Sequence, residues 1–115
     1  AGGSVRADGG DWLQAKCQIN LVANSTSQTT SGSSHNIASV IRDNPTGDVI
    51  VTFTNAVSSS TGQPSIQYDN GTSPGTDTSA GVNSGVATIV SFATTNIRFW
   101  CGPYNTDFNV YFAIL

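Results

Sequence analysis

The stretch IASVIRDNPTGDVIVTF, residues 37–53, decides the fold class of this chain. Apolar and β-branched residues lie on both sides of the segment DNPTG at 43–47, which is dense in turn formers. Pro45 fixes its own φ angle and Gly47 tolerates a positive φ, so the chain can reverse between two extended runs. The pattern therefore predicts a β-hairpin over about 37–55.

The residues before the hairpin predict one strand and one loop. An apolar set alternates with a second set over about ten residues, which is typical of a half-buried strand. The apolar set is Leu13, Ala15, Cys17, Ile19 and Leu21, and the second set is Trp12, Gln14, Lys16, Gln18 and Asn20. Residues 1–11 are Gly-rich and predict a flexible lead-in to a single domain at 12–115. Residues 23–36 are almost wholly small and polar, which predicts a loop.

The residues after the hairpin predict four further strands. They lie at about 65–69, 86–92, 95–101 and 108–115. A short polar loop precedes the first of them, and a long one at 70–85 follows it; a structureless stretch of that length is usually functional. About seven short strands with turn-rich connections favour an all-β fold, an antiparallel β-sandwich or a jelly-roll-like domain.

The final strand is apolar on both faces. Phe108, Val110, Phe112 and Ile114 form one face, and Tyr111, Ala113 and Leu115 form much of the other. Such a strand is either central in a sandwich or packed against a neighbouring copy of the chain. The aromatic and apolar side chains that we assign to an oligomer interface are Trp12, Trp100, Tyr111 and Leu115. For the two tryptophans, a sugar-stacking platform is the alternative role.

Composition and charge exclude several classes of partner. Charged residues make up 10% of the chain and the net charge is −3. No basic patch is available to neutralise phosphates, so we expect no nucleic-acid binding. No apolar run approaches the roughly 20 residues of a transmembrane helix, so we expect no membrane insertion.

The search for reactive groups predicts that the chain is not an enzyme. The sequence has one histidine, His35, in a Ser- and Gly-rich stretch, and it has no Glu. No Gly-x-Ser-x-Gly motif, zinc-ligand spacing or EF-hand spacing occurs. We therefore expect no catalytic residues, no metal and no cofactor. Cys17 and Cys101 each lie in an alternating apolar stretch, which favours buried free thiols and leaves a single disulfide open.

The middle of the chain resembles a recurrent block of bacteriophage tail-fibre, tail-tip and related virion proteins. The segment HNIASVIRDNPTGDVIVTFTNAV at 35–57 carries most of the resemblance. The matching residues are Asn36, Ser39, Val40, Asp43, Asn44, Thr46, Gly47, Asp48, Val51, Phe53, Thr54 and Ala56. The segments at 11–20 and 94–115 resemble the strand before this block and the closing hairpin after it. Cys17 and Pro45 depart from the family pattern without disturbing the predicted strands.

The resemblance implies a virion protein at a fibre, knob or appendage tip. In that role the domain forms a homotrimer, contacts other virion proteins, and presents loops to a glycan or protein of the host surface. The implied location is the virion, assembled in the host cytoplasm, which disfavours a disulfide. The residues that we assign to receptor contact are Ser27, Thr29, His35, Asn70, Asp77, Asn83 and Tyr104. The alternatives are a capsid decoration or head-fibre protein and a secreted carbohydrate-binding module.

Overall fold

The computed structural model describes residues 13–69 and 85–115. Within these two ranges the chain forms nine β-strands and no helix. The strands are β1 (Ala15–Leu21), β2 (Ser27–His35), β3 (Ile37–Arg42), β4 (Val49–Phe53), β5 (Pro64–Asp69), β6 (Gly85–Val86), β7 (Thr88–Phe92), β8 (Asn96–Trp100) and β9 (Phe108–Ile114). All paired neighbours are antiparallel, which confirms the all-β antiparallel fold class.

The strands follow the order β6-β5-β9-β1-β2-β3-β4-β8-β7 and curl into a nearly closed barrel. Two extended segments connect its two layers, because each pairs with a different neighbour at its two ends. Ser27 and Gln28 of β2 pair with β3, whereas the rest of β2 pairs with β1. At the other corner β6 pairs with β5 and β7 pairs with β8, and only Ala87 separates the two strands. Strands that change sheet in this way join two packed layers and leave few edges exposed.

The core lies between the layer β5-β9-β1 and the layer β3-β4-β8. Alternate residues of β1, β4, β8 and β9 are buried, as the period of a half-buried strand requires. The ring of Phe112 on β9 lies 6.4 Å from Phe53 and 6.0 Å from Phe99 across the core. Each fully buried side chain of this kind contributes roughly 1.5–3 kcal/mol to folding.

The predicted hairpin is confirmed. β3 and β4 pair from Arg42 opposite Val49 to Ile37 opposite Phe53. Asp43 donates its backbone N–H to the Asp48 carbonyl at 2.7 Å, which closes the turn. Gly47 has a φ of 84°, and a Cβ there would lie 2.6 Å from the Gly102 carbonyl oxygen. Glycine is therefore required at this position both by conformation and by space.

The final strand takes the first of its two predicted positions. β9 lies in the middle of its layer, between β5 and β1. Its pairing with β1 runs without a break from Phe108 opposite Leu21 to Ile114 opposite Ala15. A neighbouring copy of the chain is not needed to explain its two-sided apolar pattern.

The predicted loop at 23–36 is wrong in most of its length. It contains β2, whose residues are mostly exposed on both sides. Alternation of polar and apolar residues cannot reveal such a strand, because no side of it faces the core. β2 forms because β1 offers an open edge and because Ser and Thr tolerate extended backbone. The structure accordingly has nine strands, with β6 only two residues long, in place of about seven. The predicted lead-in at 1–11 and most of the predicted loop at 70–85 lie outside the described residues.

Candidate functional site

Arg42 lies inside the barrel although its side chain is cationic. The chain has four Lys and Arg residues in all. It occupies the last position of β3, on the inward face that begins with Val40, and its side chain has no solvent exposure. A buried guanidinium carries a large desolvation cost unless its N–H groups find acceptors. The acceptors that Arg42 binds therefore identify the parts of the chain that it fixes in place.

The guanidinium of Arg42 binds backbone carbonyls from two loops. Nη1 donates to the Thr106 carbonyl at 2.7 Å and, at 3.4 Å, to the Val22 carbonyl. Nη2 donates to the Pro103 carbonyl at 2.6 Å. The rings of Tyr104 and Phe108 have their centroids 5.9 and 5.8 Å from the guanidinium carbon, within the range of cation–π attraction. These contacts join the β1–β2 loop to the β8–β9 loop.

Further bonds between the same two loops surround the Arg42 contacts. The backbone N–H of Ala23 donates to Oδ1 of Asp107 at 2.6 Å. The backbone N–H of Asn24 donates to the Tyr104 carbonyl at 3.0 Å, and the hydroxyls of Thr26 and Tyr104 lie 3.2 Å apart. In both backbone bonds the β1–β2 loop supplies the donor and the β8–β9 loop supplies the acceptor.

The turn of the β3–β4 hairpin is held by side chains of β8. Nε of Arg98 donates to Oδ2 of Asp48 at 2.7 Å, and its Nη2 lies 3.5 Å from Oδ2 of Asp43. The indole Nε1–H of Trp100 donates to the Thr46 carbonyl at 3.0 Å. The hydrogen bond to Asp48 raises the pKa of Arg98. We call residues 22–26, 43–48 and 101–107, together with Arg42, the Arg42 end of the barrel.

The Arg42 end combines one buried guanidinium with three aspartates and with neutral hydroxyl and amide groups. Burial lowers the pKa of Arg42, and the nearby groups Cys101, Asp107 and Tyr104 oppose that shift. The exposed part of this end offers the side chains of Asn24, Thr26 and Asn105, which are neutral donors and acceptors. In residues 13–69 and 85–115, no three His, Cys or Asp side chains come together to hold a metal ion. The same part of the chain contains no helix able to cross a membrane.

The opposite end of the barrel is held by neutral amides. Nδ2 of Asn36, a residue with a φ of 61°, donates to the Gln14 carbonyl at 3.0 Å and to the Asn55 carbonyl at 2.9 Å. Its Oδ1 accepts the Asn55 backbone N–H at 2.7 Å. The side chain of Gln14 donates to the Leu115 carbonyl at 3.2 Å and accepts the Ser58 backbone N–H at 2.7 Å. We call these residues the Asn36 end.

A groove of about 340 Å³ lies on the outer face of the layer β5-β9-β1. Polar residues outnumber apolar ones in its lining, which also includes two aromatic residues, Tyr111 and Phe112. The lining residues are Lys16, Cys17, Gln18, Ser33, Ser65, Gln67, Tyr111, Phe112 and Ala113. We call it the Tyr111 groove.

The structure places two of the predicted receptor-contact residues at or beside the Arg42 end and separates others from them. Tyr104 belongs to this end, and Ser27 pairs with Ile41 directly beside it. Thr29 lies further along β2, opposite Asn20, and His35 lies near the Asn36 end, opposite Lys16. The assignments made for Asn70, Asp77 and Asn83 lie outside the described residues, as does that for Trp12.

The residues predicted for an oligomer interface do not form one patch. Trp100 is exposed on the outer face of β8, Tyr111 lines the groove on the outer face of β9, and Leu115 lies at the Asn36 end. Of the three, Trp100 shares its outer sheet face with another exposed apolar side chain, Ile41 of β3, which is 43% exposed. The three residues therefore belong to different surfaces of the barrel.

Sequence reasoning missed the role of Arg42. A signal for it exists, since Val40 and Arg42 share the parity of the buried face immediately before a turn. An arginine in an inward strand position next to a turn indicates a guanidinium that binds loop carbonyls. The pairing of Gln18 and Gln67 with Tyr111 could not be read in advance, because the three residues come from distant segments.

The two cysteines are free and buried. Burial raises the pKa of Cys17 to about 12. Burial also raises the pKa of Cys101 to about 12, although nearby Arg42 opposes the shift. Both groups therefore remain protonated thiols at neutral pH and pack as small apolar side chains.

Comparison with known proteins gives no independent indication of function. The chain matches no family model, no curated protein and no solved structure. Any functional assignment rests on the residues and geometry described above.

Proposed function

We propose that this chain is a non-catalytic adhesion domain of a bacteriophage virion appendage, and that its Arg42 end faces the host surface. The observation that carries the proposal is the polarity of the barrel. Leu115 and Gln14 lie together at the Asn36 end, where Gln14 donates its backbone N–H to the Ile114 carbonyl at 2.7 Å. The loops fixed by Arg42 lie at the other end.

This polarity suits a domain that is attached at one end and binds at the other. Leu13, Gln14 and Leu115 all lie at or beside the Asn36 end, so attachment through that end would leave the Arg42 end uncovered. Loops on a rigid scaffold are the usual location of binding residues. The position of Tyr104 and Ser27 at or beside the Arg42 end supports their assignment to receptor contact.

Preorganisation supports the same role for the Arg42 end. Ordering a flexible loop on binding costs about 0.5–1.5 kcal/mol for each immobilised side chain. The bonds from Arg42 to the Pro103 and Thr106 carbonyls fix the β8–β9 loop before any partner arrives. The hydroxyl and amide groups of this surface can then bind a polar receptor with little loss of conformational entropy.

Self-association of the domain is part of the proposal. Ile41 and Trp100 are 43% and 39% exposed on the outer face of the layer β3-β4-β8. Exposed apolar side chains that share one sheet face favour contact with another protein surface. A second and a third copy of the chain, arranged as a trimer, are the partners that the resemblance to phage appendages implies.

An adhesion assay with paired variants tests the proposal. The purified domain carries a fluorescent label, and its binding to a panel of bacterial strains is measured by flow cytometry. We expect Asn105→Glu and Thr26→Glu, both exposed at the Arg42 end, to reduce binding about tenfold or more. The matched controls are Thr54→Glu and Thr94→Glu, which add the same charge at exposed positions of the opposite end.

The outcomes of this assay are distinct. Loss of binding in the first pair alone supports the Arg42 end as the contact surface. Equal loss in both pairs, or in the control pair alone, contradicts it. Absence of binding to every strain, together with a monomeric mass by light scattering, contradicts the adhesion role and favours a capsid decoration protein or another structural role.

A further inference from the structure

The outer face of the layer β5-β9-β1 carries an ordered polar array. In one row across the three strands, Tyr111 is paired with Gln67 on one side and with Gln18 on the other. In the next row Ala113 is paired with Ser65 and with Lys16. The aromatic ring is thus flanked by two amides, and the smallest side chain lies beside it along the strand.

The shape of the Tyr111 groove follows from these rows and from a bulge in β2. Ala113 leaves a depression between the longer side chains of its neighbours, because a methyl group fills little of the space above the sheet. Lys16 pairs with His35, whereas Gln18 pairs with Ser31, so residues 32–34 bulge out opposite Cys17. Gly32 permits the bulge through its φ of 67°, and Ser33 becomes part of the groove lining.

The ring of Tyr111 is held in one orientation. Its hydroxyl donates to Oδ2 of Asp69 at 3.1 Å. Oδ1 of the same carboxylate accepts a hydrogen bond from Nδ2 of Asn109 at 2.9 Å. Asn109 is fully buried, and its amide helps to position the carboxylate that the Tyr111 hydroxyl contacts. A ligand that packs on the ring therefore meets a surface that is already in place.

The chemistry of the groove fits a sugar better than a protein surface. A tyrosine ring packs against the C–H face of a sugar ring, and amides and hydroxyls around it can bind the sugar hydroxyls. Gln18, Gln67, Ser33 and Ser65 supply those groups, and all four are exposed. The opposite outer face, with Ile41 and Trp100, has the apolar character that association between protein copies favours.

The charge of the groove narrows the class of sugar. Lys16 is exposed at the groove and forms no ion pair with a carboxylate of the described residues. Among residues 13–69 and 85–115, Arg42 is buried and Arg98 is paired with Asp43 and Asp48, so Lys16 distinguishes this groove from the other described surfaces. An ammonium group attracts a carboxylate and forms charge-assisted hydrogen bonds with it.

We infer that the Tyr111 groove binds an acidic oligosaccharide, with a sugar ring on Tyr111, its hydroxyls bound by Gln18 and Gln67, and its carboxylate at Lys16. The inference deepens the proposed adhesion role and rests on it for its biological meaning. It adds a ligand class and a second surface, since the groove lies on the side of the barrel and the Arg42 end lies at its tip.

An array of bacterial capsular oligosaccharides that contain uronic acids tests the inference. Each oligosaccharide is printed beside its carboxyl-reduced, neutral form, and the labelled domain is applied at concentrations up to the millimolar range. We expect binding to at least one acidic form that is about tenfold or more stronger than to its reduced partner, which is the scale of one charge-assisted hydrogen bond.

Four variants locate the binding surface. Tyr111→Ala removes the ring, and Ala113→Leu fills the depression while leaving the ring in place; both should abolish binding. Lys16→Gln should reduce binding of the acidic form to the level of the neutral form, whereas Lys16→Arg should retain the preference. Thr52→Ala, on the outer face of β4 in the other layer, is the matched control and should bind normally. Circular dichroism and thermal midpoints confirm that each variant is folded.

The outcomes separate this inference from the adhesion proposal. No binding of the wild-type domain to any printed oligosaccharide overturns the inference, and so does binding that survives both Tyr111→Ala and Ala113→Leu in folded protein. Equal binding of acidic and reduced forms overturns the role of Lys16 and the acidic class. If the domain adheres to cells through the Arg42 end while the array stays negative, the inference fails and the adhesion proposal stands. If the array is positive but the domain binds no strain, the inference stands and the adhesion proposal fails.

Discussion

The two ends of the barrel are fastened by the same kind of bond, from a side chain to backbone groups, but with different strength. At the Arg42 end the donor is a charged, fully buried guanidinium. At the Asn36 end it is a neutral amide on a half-buried residue. When a buried charged donor is removed, the carbonyls that it bound have no other hydrogen-bond donor. At a half-buried site water can donate to the carbonyls instead.

The two ends therefore differ in how many side chains hold their loops in place. At the Arg42 end a single side chain binds two loops: the β8–β9 loop, whose Pro103 and Thr106 are 61 and 64 residues away in sequence, and the β1–β2 loop, whose Val22 is 20 residues away. The Asn36 end closes the neighbouring turns and the last strand through several weaker bonds. The Arg42 end is therefore the more sensitive to one substitution, and the Asn36 end distributes its stability.

The largest effect is expected from Arg42→Met. Methionine is apolar and similar in length to arginine, but it lacks the N–H donors of the guanidinium. The carbonyls of Pro103 and Thr106 lose their partners inside the barrel, so the free energy of unfolding should fall by about 3 kcal/mol or more. Urea denaturation followed by tryptophan fluorescence measures this change. Arg98→Met, which removes a partly exposed cation, is the control and should cost clearly less. A loss no greater than that of the control contradicts the central role of Arg42.

The second effect is a loss of stability at alkaline pH. Cys17 and Cys101 have pKa values raised from 9.0 to about 12 by burial. Between those values the unfolded chain releases two protons that the folded chain retains, so the free energy of unfolding falls as pH rises above 9. The decrease approaches about 1.4 kcal/mol per pH unit for each thiol. Well below pH 9 both thiols are protonated in the folded and in the unfolded chain, so their contribution to the pH dependence vanishes.

Urea midpoints from pH 8 to 11, compared between the wild type and the double variant Cys17→Ala, Cys101→Ala, measure this contribution. The double variant corrects for the alkaline titration of tyrosine and lysine. A wild-type curve parallel to that of the variant shows that the thiols are not buried in the folded protein.

A smaller effect is expected at the Asn36 end. Asn36→Ala removes the amide bonds to Gln14 and Asn55, and alanine tolerates a φ of 61° less well than asparagine does, so the variant should cost about 2 kcal/mol. Asn36→Gly removes the same bonds without the conformational strain and should cost about 1 kcal/mol. Thermal unfolding of both variants measures the order. An alanine variant as stable as the glycine variant means that the positive φ carries no strain.

The smallest effect is expected from Tyr104→Phe. The variant loses the contact between its hydroxyl and that of Thr26, which is exposed, and keeps the aromatic ring near Arg42. The free energy of unfolding should change by less than about 0.5 kcal/mol. The adhesion assay gives the sharper result, because loss of cell binding with unchanged stability assigns the hydroxyl to receptor contact. Tyr104→Leu tests the ring separately.

The parts of the fold that sequence alone predicts are those where burial imposes a period. β1, the β3–β4 hairpin and β9 each alternate between core and outside, and the sequence shows that alternation. β2 was hidden because hydroxyl side chains exposed on both faces carry no such signal. The order of the strands, and with it the closure at Ala87, depends on pairing between segments that no local pattern encodes.

The candidate surfaces were predictable to a lesser degree. Tyr104 was assigned to receptor contact from its loop composition, and it lies at the Arg42 end. Arg42 itself was counted only as a charge, since a buried role for a cation depends on the carbonyls that surround it. The Tyr111 groove depends on the register of β1, β5 and β9, which brings one residue from each strand into a row.

The most direct test of the adhesion proposal is a reconstruction of a virion that carries this chain, at a resolution that orients the barrel. The account predicts that the domain lies at the outer tip of an appendage, with the Asn36 end toward the particle and the Arg42 end toward solvent. A barrel whose Arg42 end is buried against another virion protein, or that lies flat on the capsid, contradicts it.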